Sequence, residues 1–316
     1  MNGPGARGAG LARPLLALLT SALCTAAIVV LARTAVGTAS GQRLDQLILS
    51  GARSHEGPLS QYAELAVHSV SLPVVGGLLA LAAVLVLVRR RFSLLVPLTA
   101  LVLGANLTTQ VLKHVVITRE ALGPGIDITP NSFPSGHTTL AATAMIAVVL
   151  AGGRARVVLA PAGALWTTAA GLGTLVVGWH RPSDVVAAIT VVAAWTFLVL
   201  AVDGLHIRRR RALAARTGRG RRRRGAEGSG AAPRLGAATA GMAALLGLGG
   251  AAGLVLGAIG LQSVPLPLDL RDASQQLSAF RATAALIAGG TGAWMALVLV
   301  LRTPISHRAR TQERVP

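Results

Sequence analysis

Asn131-Ser132-Phe133-Pro134-Ser135-Gly136-His137-Thr138-Thr139 hands a polar loop over to the apolar run Thr138–Ala151. Pro134 and Gly136 interrupt regular structure, and Ser135 and His137 supply hydrogen-bonding groups. The stretch therefore reads as the N-terminus of a hydrophobic helix. Unpaired backbone N–H groups and the positive end of the helix dipole gather at such a point and favour an anion. A plain helix start, with Ser135 as N-cap and His137 merely interfacial, accounts for the same residues. What separates the two readings is the rest of the chain.

Of 316 residues, 53% are hydrophobic and only 13% charged, and the mean hydropathy is +0.62. Soluble domains carry about 25% charged residues, so most of this chain belongs in lipid. Apolar runs near the ~20 residues that cross a bilayer recur along it. They fall at about Pro14–Leu31, Leu72–Val88, Ser93–Leu112, His137–Leu150, Val157–Val177, Val185–Val202, Ala237–Leu261 and Thr283–Leu301. The expected fold is all-α, a polytopic transmembrane bundle of about eight spans. The first run lacks a nearby small-x-small cleavage site and reads as a retained span.

A net charge of +19 invites a nucleic-acid partner, but the arginines are confined to short segments between apolar runs. That is the positive-inside pattern, and 3% aromatic residues leave little stacking surface, so no nucleic-acid partner is expected. The N-terminus, the Arg89–Arg91 turn, the Arg154/Arg156 turn, the Arg208–Arg224 segment and the tail from Arg302 alternate onto one side. That side is expected to be cytoplasmic, with both termini there. The basic loop is expected to meet anionic lipid headgroups. Cys24 is the only cysteine, which excludes an intrachain disulfide and a cysteine-based metal site.

The opposite, outer side then receives residues 34–70, 113–136, 179–184 and 262–282. Every candidate reactive group falls there. Lys113, the only lysine of the 30 basic residues, ends the third span with Arg119 after it. Asn106, Gln110 and Lys113 share one helix face, and such groups are expensive in a membrane unless they face a cavity. His180 and Asp184 sit four residues apart, so the carboxylate can hold one ring nitrogen and leave the other as nucleophile. His137 is placed to protonate a leaving oxygen. Together these groups describe a pocket for a tetrahedral oxyanion. His55, His68 and His114 lack a patterned partner and read as loop or interface residues, and Trp179 as an interfacial belt residue.

Pro134-Ser135-Gly136-His137 and His180-x3-Asp184 resemble motifs of the PAP2 (type 2 phosphatidic acid phosphatase) superfamily, over about residues 72–202. The resemblance implies that His180 attacks phosphorus to give a phosphohistidine, with Asp184 orienting it and His137 as general acid. It implies that Lys113, Arg119, Ser135 and the Gly136 N–H hold the phosphoryl oxygens, without metal or other cofactor. Two departures stand out. Arg119 falls one residue early in the Lys-x6-Arg-Pro motif and precedes Glu120. The Ser-Arg of the third motif corresponds to Gly173-Thr174, so an arginine is missing, with Arg181 as its candidate replacement.

The expected organisation is an N-terminal span and outer segment over 1–71, a catalytic core over 72–206, a basic linker over 207–234 and a two-span segment with a basic tail over 235–316. The expected function is an integral membrane phosphatase acting on a lipid-linked phosphate or diphosphate at the extracytoplasmic face. The rival expectation is a catalytically silent relative that binds or moves a lipid phosphate.

Overall fold

The computed structural model describes residues 5–54, 58–124, 126, 131–216 and 235–302. The basic run Arg221–Arg224, most of the C-terminal tail, His55, Glu56 and Asp127 lie outside the described residues. Among the described residues the regular structure is helical, with no strand. In chain order the helices are α1 (Gly5–Leu31), α2 (Ala39–Arg53), α3 (Pro58–His68), α4 (Leu72–Val88), α5 (Leu95–Val111), α6 (Gly136–Ala151), α7 (Arg156–Val176), α8 (Pro182–Arg216), α9 (Ala237–Gln262) and α10 (Ala273–Leu301).

Each of the eight expected spans is a helix, and the chain is a polytopic helical bundle. Six stretches are long and apolar enough to cross a membrane: Leu11–Val36, Phe92–Val116, Gly153–Val176, Pro182–Arg210, Ala237–Gln262 and Ala273–Leu301. The other two differ. Ser60–His68 and Leu72–Val88 form a pair bent by 57°. The 16-residue α6 rises only about 24 Å, against ~30 Å of hydrocarbon. Nearly all of α6 is buried, packed by α4, α5, α7 and α8. It is the central post of the bundle, and its length is limited by its partners rather than by the bilayer.

Two boundaries differ from the sequence expectation, those of α8 and α10. The helix begun at Pro182 does not give way to a loop after Val202 but continues through Arg208–Arg211 to Arg216. Arginine and alanine are among the better helix formers, so an arginine-rich segment leaving a helix keeps its conformation. Helix α10 starts ten residues before Thr283, inside the supposed polar loop, because Asp272 caps it by accepting from the N–H groups of Ser274 and Gln275. Residues 34–70 contain two helices. The first, α2, is capped by Thr38, whose Oγ1 accepts from Gly41 N–H, and buries Gln42, Asp45 and Leu47–Leu49.

Helix α1 lies along α8, and α10 touches α2, α7 and α8. Helices α9 and α10 pack on each other through glycines. A Cβ at Gly250 would lie 2.6 Å from the Ala293 nitrogen, and one at Gly289 would lie 2.6 Å from the Leu254 nitrogen. Small residues let helix backbones approach this closely where lipid removes the hydrophobic drive to associate.

The basic turns gather at one end of the bundle. Arg89 reaches Gly153, and Arg302, buried beside Arg156, Arg91 and Arg89, is pushed down to about 9 by burial first and then by those charges. Helix α7 runs from this end to the other, a rise of about 30 Å for its length. The N-terminus of α6 and the start of α8 therefore share the far end.

A side chain forced between α9 and α10 must push the backbones apart. Gly289→Leu is expected to destabilise the protein in detergent by about 1–3 kcal/mol, the usual range for overpacking, read as a lowered thermal midpoint. Gly290→Leu, at a position with nothing within 4 Å, is the matched control expected to leave it unchanged.

Candidate active site

At the far end, Lys113, His114, Ile117, Thr118, Arg119, Asn131, Ser132, His137, Trp179 and His180 line one hollow of about 730 Å³. Helix α5 delivers Lys113 through a widened last turn, Leu112–Val116. Asn131 fixes that turn from the loop, donating its side-chain N–H groups to the Lys113 carbonyl at 2.9 Å and to the Ile117 carbonyl. The Asn131 Oδ1 in turn accepts from Phe133 N–H at 3.1 Å. The polar face expected on α5 is split. Asn106 donates to Val102 O and Thr143 Oγ1, and Thr109 bonds Thr139, which ties α5 to α6. Neither Asn106 nor Gln110 lines the hollow, whereas Lys113 does.

His137 enters on the first turn of α6. Ser135 caps that helix, its Oγ accepting from Thr138 N–H at 3.3 Å and from Thr138 Oγ1 at 3.0 Å. The Ser135 N–H donates to the Asp184 carbonyl at 3.0 Å, and Thr139 N–H is taken by the Ser135 carbonyl. The cap leaves the Gly136 and His137 N–H groups without an intrahelical acceptor, as the geometry of a helix start requires. The two readings of this stretch thus combine: Ser135 is fully buried as the cap, and His137 faces the hollow.

His180 follows a tight turn. Gly178 has φ +75°, a left-handed conformation that glycine adopts freely, and Trp179 and His180 N–H both donate to the Thr174 carbonyl. Thr174, where the family motif has arginine, is buried, and its Oγ1 donates to Gly171 O. The His137 and His180 ring centroids are 6.1 Å apart, and Trp179 lies 5.2 Å from His137. Trp179 and His114, set aside in the sequence, are part of the hollow's wall.

Asp184 is fully buried and is the hub of the site. Its Oδ2 accepts from Ser132 Oγ and from Arg181 N–H at 2.9 Å, and its Oδ1 accepts from Arg119 Nη1 at 3.3 Å. The His180 Nδ1 is 3.5 Å from Oδ2, an ion-pair separation rather than a made hydrogen bond, and is buried with no hydrogen-bond acceptor among the described residues. With Nδ1 turned to Asp184, Nε2 is the nitrogen left to the hollow.

Arg119 lines the hollow and is also engaged from behind. Its Nη2 is 2.9 Å from Asp45 Oδ2 and its Nη1 meets Asp184, so two buried carboxylates hold the guanidinium. Arg181 is buried, and its side chain is not among those lining the hollow. Asp45, on α2, is the residue that sequence reasoning missed. Besides Arg119 it accepts from Ser183 N–H at 3.1 Å and from Ser183 Oγ. Burial, and then the neighbouring Asp184 charge, push the Asp45 carboxyl up to about 6, against the opposing pull of Ser183 and Arg119. No signal marked it, because its partners lie 74 and 138 residues away in sequence.

The arrangement is that of a membrane-embedded helical bundle with a cationic, two-imidazole hollow at one end. Residues 72–208 match the family model of the PAP2 superfamily. Over that stretch the chain is similar to this superfamily, whose members are generally phosphatases. The match runs from α4 into α8 and takes in Lys113, Arg119, Ser135, His137, His180 and Asp184; α1–α3, α9 and α10 lie outside it. No curated protein and no solved structure matches the chain.

The cap makes a separable prediction. Ser135→Ala removes the acceptor for Thr138 N–H and is expected to lower stability by about 1 kcal/mol, read by thermal unfolding in detergent. Ser135→Thr, which keeps the oxygen, is expected to lose less.

Proposed function

We propose that the protein is an integral membrane phosphatase that hydrolyses a lipid-linked phosphate or diphosphate at the extracytoplasmic face of the cell membrane. The observation that carries this reading is the single hollow shared by Lys113, His137 and His180, at the end of the bundle opposite the arginine turns. By the positive-inside bias, the arginine end is cytoplasmic, along with both termini. A substrate with its tail in the bilayer presents its headgroup at the level of these helix ends.

In this mechanism His180 Nε2 attacks phosphorus in line with the leaving oxygen, while Asp184 stabilises the imidazolium through Nδ1. His137, across the hollow, gives its proton to the leaving lipid alcohol or phosphate. A water then enters, His137 takes its proton, and the P–N bond of the phosphohistidine breaks to release inorganic phosphate. The Lys113 ammonium and the free N–H groups at the start of α6 neutralise the phosphoryl oxygens, the role that positioned cations and dipoles play in phosphoryl transfer. Arg119, engaged by Asp45 and Asp184, contributes charge at the edge of the hollow and Ser135 acts through the helix it caps.

A weak or silent lipid-phosphate binder is the second reading, and a specific observation favours it. Lys113 is the one lysine or arginine lining the hollow without a carboxylate partner among the described residues. Arg181, the candidate replacement for the arginine missing at Thr174, is not among the residues lining the hollow. The two readings separate on turnover. Wild-type protein in detergent, given a panel of polyprenyl diphosphate, phosphatidic acid and phosphatidylglycerol phosphate, is expected to release phosphate from at least one. His180→Ala is expected to release none, His137→Ala to fall by about 10²–10⁴-fold, and Lys113→Ala by about 10²–10³-fold. Wild-type binding without release supports the silent reading, and full release by His180→Ala ends the histidine mechanism.

A further inference from the structure

Helix α2 lies outside the stretch that defines the family, yet three of its side chains grip the loops that carry the candidate site. Gln42, fully buried, donates to the Glu120 carbonyl at 2.7 Å and accepts from Leu122 N–H at 3.1 Å, so it holds the segment just after Arg119. Asp45 takes Arg119 with one oxygen and uses both to receive Ser183, on the first turn of α8 between His180 and Asp184. Arg53, at the other end of α2, donates to the Gly178 carbonyl at 3.4 Å, in the turn that precedes His180. Gln42 and Asp45 are three apart and so share a face of α2.

Behind it, α2 leans on α10 and the loop that leads into it. Arg43 donates to the Leu268 carbonyl at 2.9 Å, and Gly51 lies so close to α10 that a Cβ there would be 2.1 Å from the Gln276 carbonyl.

We infer that α2 is a positioning clamp for the phosphatase site, in which Asp45 holds Arg119 against Asp184 and thereby sets the His180–Asp184 pair. The inference rests on the reading of this site as a phosphatase. It assigns Arg119 to the clamp, and it gives α10 and the loop before it a task as the backing of α2. Without Asp45, Arg119 has one carboxylate instead of two, and the start of α8 loses the acceptor of its Ser183 groups. Both changes act on Asp184, which is the only carboxylate facing His180 among the ion pairs formed in the site. Asp45 is therefore a positioning residue, with no contact to the hollow of its own.

The test uses the full chain in detergent with whichever lipid phosphate the wild type hydrolyses. Asp45→Asn keeps the shape and removes the charge. Its kcat is expected to fall roughly tenfold or more, as small misplacements of reacting groups do. Its KM is expected to stay within about threefold, because Lys113 is untouched. Arg119→Gln, which also removes charge from the edge of the hollow, should lower kcat at least as much, and the double variant should have a kcat no lower than Arg119→Gln alone, as for residues that act as a unit. Asp45→Glu, which keeps the charge, should recover part of kcat. A kcat within about twofold of wild type in Asp45→Asn, or losses that multiply in the double variant, overturns the clamp. Should Asp45→Asn not fold, Ser183→Ala, which removes one donor to Asp45, is expected to show a smaller kcat loss at constant KM, and an unchanged kcat there overturns it equally. Should the wild type hydrolyse nothing, the phosphatase reading fails. The clamp is then read from thermal midpoints, where Asp45→Asn and Arg119→Gln must be non-additive, and additive shifts overturn it.

Discussion

A guanidinium held between two buried carboxylates is the constraint on which the far end of this bundle depends. Asp45 on α2 and Asp184 on α8 are like charges in a dry setting, and Arg119 between them is what makes their proximity tolerable. Such a bridge does little for net stability, since desolvating the charges offsets most of their attraction. Removing one member is another matter, costing about 3–5 kcal/mol in buried pairs because the remaining charge is left uncompensated. The bridge therefore fixes an arrangement more than it strengthens a fold. It joins the helix before the family domain, the loop after α5 and the start of α8.

From that bridge the chemistry follows by short steps. Asp184, bonded by Ser132 and Arg181 N–H on one oxygen and by Arg119 on the other, has the His180 Nδ1 3.5 Å from the first. A carboxylate so restrained fixes the orientation of the imidazole. Across about 6 Å, His137 stands on the first turn of a helix whose cap is itself tied to the Asp184 carbonyl. Lys113 closes the third side from a turn pinned by Asn131. Each side chain of the proposed mechanism thus sits on the end of a rigid element, and each end is bonded to a neighbour.

Much of this was legible in the sequence, for identifiable reasons. The spans were readable because lipid demands uninterrupted apolar runs, and the far-end placement of Lys113, His137, His180 and Asp184 followed from arginine alternation. The extension of α8 to Arg216 was not, since an arginine-rich stretch reads as a surface loop although arginine favours helix. The charge of Arg119 was visible in sequence, but its two carboxylate partners were not. Asp45 was silent for the same reason: one aspartate in a mixed segment carries no pattern, and its meaning comes only from contacts with Arg119 and Ser183 across most of the domain. Arg181 looked like a substitute for the arginine absent at Thr174, but its side chain is not among those that line the hollow.

The account stands or falls on His180 as the group that meets phosphorus. The direct measurement is rapid acid- and base-quenching of the wild-type protein during turnover of a lipid phosphate radiolabelled at phosphorus, followed by peptide mapping. The account predicts an acid-labile, base-stable phosphoryl group on His180, absent from His180→Ala. Label on another residue, or turnover of the lipid by His180→Ala at the wild-type rate, would contradict it.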